Sequence, residues 1–268
     1  MHGLGNDFIV FDAPATGAPD AATLRRLADR HTGIGFDQAL MLEPPQREGT
    51  AVYYRIFNAD GAEVEQCGNG ARCIARFVNA RLGRGPGKLV LDSPGGLVRA
   101  KVREDGQVAV AMGVPNFDPA ALPFEASGEA SVYPLPVGDM AVDIGAVSIG
   151  NPHAVIRVPS VDDAPVDRLG PAIEHHPRFP RRTNVGFMEV LARDHIRLRV
   201  HERGAGETRA CGTGACGAVA VGRRHGLLDE QVHVDLPGGR LTVQWSGPGE
   251  PIWLTGPAET AFEGTVTL

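Results

Sequence analysis

Short runs of alternating apolar and polar residues, separated by turns rich in Gly and Pro, dominate the chain, and four stretches break that rhythm with a helical period. Residues 5–12 predict a strand entered through a Gly-Asn turn. Asp20 then caps a helix with Leu24, Leu27 and Ala28 on one face. Residues 50–57 (TAVYYRIF) alternate and predict a strand closed by the turn Asn58-Ala59-Asp60-Gly61. From Gly68 the period becomes helical: Ile74, Phe77, Val78 and Leu82 form one stripe, and Gly83 is the stop signal. Strands at 88–92 and 97–103 follow, joined by Pro94-Gly95-Gly96, with a third after Asp105-Gly106.

The pattern then starts over. Alternating residues 140–149 lead to Gly150-Asn151-Pro152-His153 and a strand at 154–158. A helix over about 166–175 is announced by Asp163 and Pro165. Strands at 184–190 and 195–201 precede a Gly-rich turn at 202–208, which delivers Cys211 to a helix carrying Ala215, Ala218, Val219 and Val221 and stopping near Gly226. Strands at 231–235 and 240–245 pair across Pro237-Gly238-Gly239. The landmarks repeat in one order: Gly5-Asn6 as Gly150-Asn151, Asn58 as Glu202, and the phrase C-G-x-G-A, 144 positions apart, at Cys67 and Cys211. Two copies of one fold unit are expected. The class is α+β: two pseudo-symmetric domains, each a curved, mostly antiparallel sheet around a central helix, with the active site in the cleft between them. The boundary is expected in the Pro-rich stretch 113–117. Residues 257–268 have no counterpart in the first copy and are expected to return to it, which gives domains of 1–113 plus 257–268 and 114–256.

Composition narrows the function. The net charge is −6 and no basic stretch occurs, which argues against nucleic acid, as do only three Tyr and two Trp as stacking surfaces. No apolar run is long enough to span a bilayer and no secretory pattern opens the chain, so no membrane association and a cytoplasmic location are expected. In that setting four cysteines are not expected to form disulfides. The spacings C-x5-C and C-x4-C, without a His in ligand register, do not suit zinc, and no metal is expected.

A helix N-terminus presents unpaired N–H groups and about half a positive charge. It binds carboxylates and lowers the pKa of a cysteine placed there. The plain alternative for any cysteine is a small buried apolar residue. That reading suits Cys73 and Cys216, which fall well inside their helices. It explains poorly why Cys67 and Cys211 occupy the same address in both copies. A thiolate and a thiol on opposite sides of a small carboxylate suit inversion of a carbon stereocentre: one removes the α-proton and the other supplies a proton to the opposite face.

The segments MHGLGNDF, FNADGAEVEQCGNGARC, GNPHAV, PRRTNVGF and HERGAGETRACGTGAC, in order along essentially the whole chain, resemble the diaminopimelate epimerase family. The resemblance implies a cofactor-free isomerase, independent of pyridoxal phosphate, that interconverts LL- and meso-2,6-diaminopimelate for lysine and peptidoglycan synthesis. It also implies a homodimer whose only other partner is the small amino-acid substrate. By the same resemblance Cys67 and Cys211 are the acid/base pair. The backbones of Gly68-Asn69 and Gly212-Thr213 hold the reacting carboxylate, and Asn6 and Gln38 line the reacting end. Asn58, Asn151, Asn184 and Arg203 grip the distal end, while His153 and Glu202 position the substrate amino group and tune the thiols. Taken without the resemblance, the four Asn residues are also ordinary turn residues. His153 could equally be a core histidine, and Glu202 with Arg203 a surface ion pair. Members of that family usually begin a few residues upstream, with a short strand leading into MHGLGNDF, so either the true start lies upstream or the first strand here is short. Two competitors are a racemase of the same architecture for proline, hydroxyproline or another amino acid, and a non-catalytic phosphate binder. The first needs no distal grip. The second leaves the paired cysteines unexplained and lacks the Lys-Ser/Thr ending of a phosphate-binding loop.

Overall fold

A computed structural model describes residues 1–15, 17–64 and 67–266, so Glu65 and Gln66, the two residues before Cys67, and the final two of the C-terminal segment lie outside the described residues. The chain forms two compact units, Met1–Ala111 with Thr255–Leu268, and Met112–Leu254.

The first unit begins with β1 (His2–Gly3) and β2 (Asn6–Asp12), which pair antiparallel around a turn. Gly5 in that turn has φ +86°, and its counterpart Gly150 has φ +81°, a left-handed conformation that glycine adopts without steric cost. Helix α1 (Ala21–Ala28) is capped by Asp20, whose carboxylate accepts the Thr23 N–H at 2.7 Å. Its buried Leu24, Leu27 and Ala28 join Phe36, Ala39, Met41 and Phe57 in one cluster. Then come β3 (Gln38–Glu43), β4 (Tyr53–Asn58), β5 (Glu63–Val64) and helix α2 (Gly68–Arg81). Strands β6 (Gly87–Ser93), β7 (Gly96–Val102) and β8 (Val108–Ala111) complete the run. Pairing is antiparallel except where β2 meets β3 and β4 meets β6. Helix α2 packs against β1, β7 and β8, burying Cys73, Ile74, Ala75 and Val78. At the C-terminal end Glu259 forms an antiparallel bridge with His2.

The second unit opens with a 3-10 turn (Pro119–Ala121), then β9 (Tyr133–Val137), β10 (Met140–Ser148) and β11 (Pro152–Arg157). Helix α3 (Val166–Glu174), β12 (Asn184–Ala192), β13 (His195–Glu202), β14 (Gly206–Thr208) and helix α4 (Gly212–Arg224) follow. Strands β15 (Gln231–Leu236) and β16 (Gly239–Gln244) come next, and β17 (Trp253–Gly256) runs across the sequence division between the units. The pairing scheme is that of the first unit: β11 with β12 and β13 with β15 are parallel, and β12–β13, β13–β14 and β15–β16 are antiparallel. The register repeats as well, since Phe8 opposes Gln38 and His153 opposes Asn184 at the same point of the two parallel pairs. This is the α+β, mostly antiparallel architecture with a helix in each unit. Strand β11 starts two residues earlier than the pattern indicated, at Pro152, so His153 lies in a strand rather than in the preceding turn.

Helix α4 is more deeply enclosed than α2, with ten consecutive-turn residues such as Ala215, Cys216, Ala218 and Val219 buried. Small residues make this possible: a Cβ added at Gly145 of β10 would lie 2.3 Å from Val221 Cγ1. The helix therefore packs directly on strand backbone at Gly145.

Candidate active site

Each unit presents one cysteine as the N-cap of its central helix. Cys67 has extended backbone (φ −149°, ψ 108°) and its sulfur accepts the Gly70 N–H at 3.4 Å. Cys211 is also extended (φ −97°, ψ 106°), and its sulfur accepts the Gly214 N–H at the same distance, 3.4 Å. A sulfur capping the third N–H leaves the first-turn N–H groups of Gly68-Asn69 and of Gly212-Thr213 around it, as the start of a helix demands. Gly70 and Gly214 are glycines for a spatial reason. A Cβ at Gly70 would stand 3.1 Å from Leu40, and one at Gly214 2.9 Å from Val200 and 3.2 Å from the Cys211 sulfur.

The polar surroundings repeat too. In the first unit Asn6 Oδ1 lies 4.0 Å from Cys67 Sγ and accepts the Asn69 amide N–H at 3.2 Å. In the second, the Asn151 amide donates to Thr213 Oγ1 at 3.5 Å, and that hydroxyl is 3.6 Å from Cys211 Sγ. Asn6 and Asn151, one residue past the left-handed glycines, thus each reach the second residue of the helix. Asn69 is fixed from behind by the fully buried Arg72, whose guanidinium donates to its Oδ1 at 2.9 Å and to the Pro257 carbonyl at 3.3 Å. Gln38 donates to Asn58 Oδ1 at 2.8 Å, and its own Oε1 is buried with no hydrogen-bond partner among the described residues.

The second unit holds the charged groups. Glu202, at the end of β13, lies beside Cys211 and accepts a short hydrogen bond from the Thr208 hydroxyl. Asn184 is buried: its amide donates to the Pro152 carbonyl at 3.0 Å and its Oδ1 accepts the Arg203 N–H at 2.9 Å. That side chain ties the start of β11 to the backbone of Arg203. The Arg203 guanidinium donates to the Arg181 carbonyl at 3.2 Å. The structure thus brings Asn6 and Asn69 to Cys67 and pairs Gln38 with Asn58 in the first unit; in the second it brings Thr213 and Glu202 to Cys211, sets Asn151 against Thr213 and His153, and joins Asn184 to Arg203.

The electrostatics depart from expectation at Cys211. Its place at a helix start predicts a lowered thiol pKa, yet the thiol is pushed well above its ordinary value. Burial is the largest cause and the Glu202 carboxylate the next, and together they outweigh the Thr213 hydroxyl and Gly214 N–H. Cys211 therefore holds its proton in this state. His153 is buried, and its pKa falls from an ordinary 6.5 to about 3, first through desolvation and then through the Arg203 charge. It is neutral, and its Nε2–H donates to Asn151 Oδ1 at 2.9 Å.

The buried neutral ring has a measurable consequence. Between pH 6.5 and about 3 the unfolded chain binds a proton at His153 that the folded chain refuses. Stability should accordingly fall as the pH drops through that window, by about 1.4 kcal/mol per pH unit from this residue. Urea unfolding between pH 7 and pH 5 should show a shallower pH slope for His153→Gln than for the wild type. An identical slope would assign the proton elsewhere.

Residues that sequence patterns did not single out support these groups. Asp37 accepts the Asn6 amide at 2.9 Å, and Thr208 steadies Glu202. Thr208 could have been found from its place as the last residue of the Gly-rich turn that leads to Cys211. Arg72 carries no such signal, because a fully buried arginine looks in sequence like any helix-surface residue.

Comparison with known proteins agrees with this geometry. The family profile described as diaminopimelate epimerase matches residues 1–117 and 145–261. A diaminopimelate epimerase from Stutzerimonas stutzeri is 55% identical over 271 residues, covering 100% of this chain and 98% of the relative. One from Nitrosomonas eutropha is 56% identical over 272 residues, with the same coverage of 100% and 98%. Among solved structures, a probable proline racemase from Agrobacterium radiobacter superposes with a TM-score of 0.67 at 19% identity, covering 100% of this chain and 91% of that one, and so shares the fold. With two cysteine-capped helices in a duplicated α+β frame and more than half of its residues identical to these relatives over its full length, the chain belongs to the diaminopimelate epimerase family.

Proposed function

We propose that this protein is an isomerase that interconverts LL- and meso-2,6-diaminopimelate in lysine and peptidoglycan synthesis, with Cys67 and Cys211 as its two proton-transfer groups. One observation carries the chemistry: each unit caps its central helix with a cysteine whose sulfur accepts the third N–H at 3.4 Å. One sulfur takes the α-proton as a thiolate and the other gives its proton to the opposite face of the same carbon. The resting proton on Cys211 follows from its burial beside Glu202. Turnover in the reverse sense begins from the opposite protonation pattern, so the pair titrates as a unit.

The α-carbon is a very weak acid, so the developing negative charge needs fixed donors. The first-turn N–H groups of Gly68-Asn69 and Gly212-Thr213, with the helix dipoles behind them, would hold the reacting carboxylate and stabilise that charge. Gln38 has a buried Oε1 available to accept from an ammonium group, beside Asn6 at the reacting end. Glu202 and neutral His153 would position the amino group. Asn58, Asn151, Asn184 and Arg203 would fix the distal amino-acid end, the guanidinium forming a two-pronged bond to its carboxylate. A proline-type substrate would leave that arginine without a partner, which favours diaminopimelate. The family's usual assembly supports a homodimer in the cytoplasm. Among the described residues no helix is long and apolar enough to cross a membrane.

In heavy water, LL-diaminopimelate should yield meso product carrying deuterium at the inverted carbon, because the delivering thiol has exchanged with solvent. Mass spectrometry of product from the first turnovers reads this directly. Unlabelled product would exclude the two-thiol route.

A further inference from the structure

The structure assigns to Glu174 a positioning role: it holds the Arg203 turn from behind and so sets the grip on the distal carboxylate. This rests on the functional reading above. Glu174 is the last residue of α3 and is buried, with 3% exposure. Its Oε2 accepts the His201 Nε2–H at 2.9 Å and its Oε1 accepts the Gly204 N–H at 2.9 Å. Gly204 has φ +77°, so the chain reverses immediately after Arg203. The Arg203 N–H is held on its other side by Asn184 Oδ1 at 2.9 Å. Arg203 therefore sits between two pinned peptide groups, and only one of the two pins comes from a residue already given a place in the site.

Two further observations point to a built device. A Cβ at Gly170, one helical turn before Glu174, would stand 2.6 Å from His201 Cγ, so α3 carries a glycine where the imidazole lies across it. Burial by itself would raise the Glu174 pKa, but the hydrogen bonds from His201 and Gly204 outweigh it and keep the carboxylate ionised. Arg182 and His175 lie farther out, at 3.7 and 3.9 Å. A buried carboxylate with both oxygens engaged tolerates little movement, so the turn it accepts is fixed with it.

The test is a double-variant cycle on the full chain with LL-diaminopimelate. Glu174→Ala should raise KM roughly tenfold while kcat falls less than about threefold, because the distal grip loosens and the thiols do not move. Glu174→Gln keeps an oxygen for the Gly204 N–H and should recover most of the loss. In an Arg203→Ala background Glu174→Ala should cost nothing more, since its effect passes through the guanidinium. Amide exchange at Gly204 should quicken at least about tenfold in Glu174→Ala, a reading that needs no turnover. If Glu174→Ala does not fold, Glu174→Asp, which keeps the charge but shortens the reach to the Gly204 N–H, takes its place in the same cycle. Additive losses in the double variant, or an unchanged KM with unchanged Gly204 exchange, overturn the assignment. An inactive wild type would instead remove the functional reading, and Gly204 exchange would still decide the role of Glu174.

Discussion

Replacing Cys67 or Cys211 with alanine is expected to lower epimerisation of LL-diaminopimelate at least about 10³-fold in either variant. Loss of a positioned acid or base typically costs 10²–10⁴-fold, and in the proposed scheme each thiol is the base in one direction and the acid in the other. In that scheme the two thiols act as a unit, so the double variant should be no worse than either single one. Folding should survive. Alanine removes a sulfur that caps one N–H, a loss of about 1 kcal/mol by analogy with other caps, while α2 and α4 stay anchored by their buried faces. Circular dichroism and unfolding midpoints check the fold, and a stereospecific assay checks the rate. More than about a tenth of wild-type turnover in either variant would sink the two-thiol scheme.

Arg203→Ala should be the next most damaging change, lowering kcat/KM by about 10²–10³. Removing one member of a hydrogen-bonded charge pair costs 2–5 kcal/mol, much of it from the charge left without a partner. Arg203→Lys should restore little, because an ammonium cannot make the two parallel bonds a carboxylate accepts from guanidinium. Most of the loss should fall on KM, since the proposed contact of the arginine is with the end of the substrate that does not react. With an amino acid lacking a distal carboxylate, wild type and variant should converge. An Arg203→Ala variant with an unaltered KM would move the distal grip to other residues.

Much of this site was readable from local signals. Asp20, Cys67 and Cys211 were identifiable as caps because each stands where strand or turn gives way to a 3.6-residue period, and the structure has all three capping N–H groups. What escaped were elements whose signal is tertiary. Strand β3 reads QALMLE with four consecutive buried residues, because it lies between β2 and β4 and is covered on both faces, so no alternation marks it. Strand β9 contains Pro134 and Pro136, which in sequence argue for a loop. Both face outward while Tyr133 and Leu135 are buried, and the strand can tolerate prolines where no ladder hydrogen bond is needed. The raised thiol of Cys211 was hidden for a related reason: a helix start is visible in sequence, whereas the burial that outweighs it is not.

The contacts from Asn6 to Asn69 and from Asn151 to Thr213 each close inside their own half of the chain. Each of these contacts lies within one unit, so the two cysteines are positioned by matching means. The two halves are nevertheless not identical. An amide now stands at one address and a hydroxyl at the other, and an arginine occupies the position where its twin keeps Cys216. Two unlike halves can treat the two ends of one substrate differently, inverting one and holding the other, which a symmetric pair of identical chains does not do.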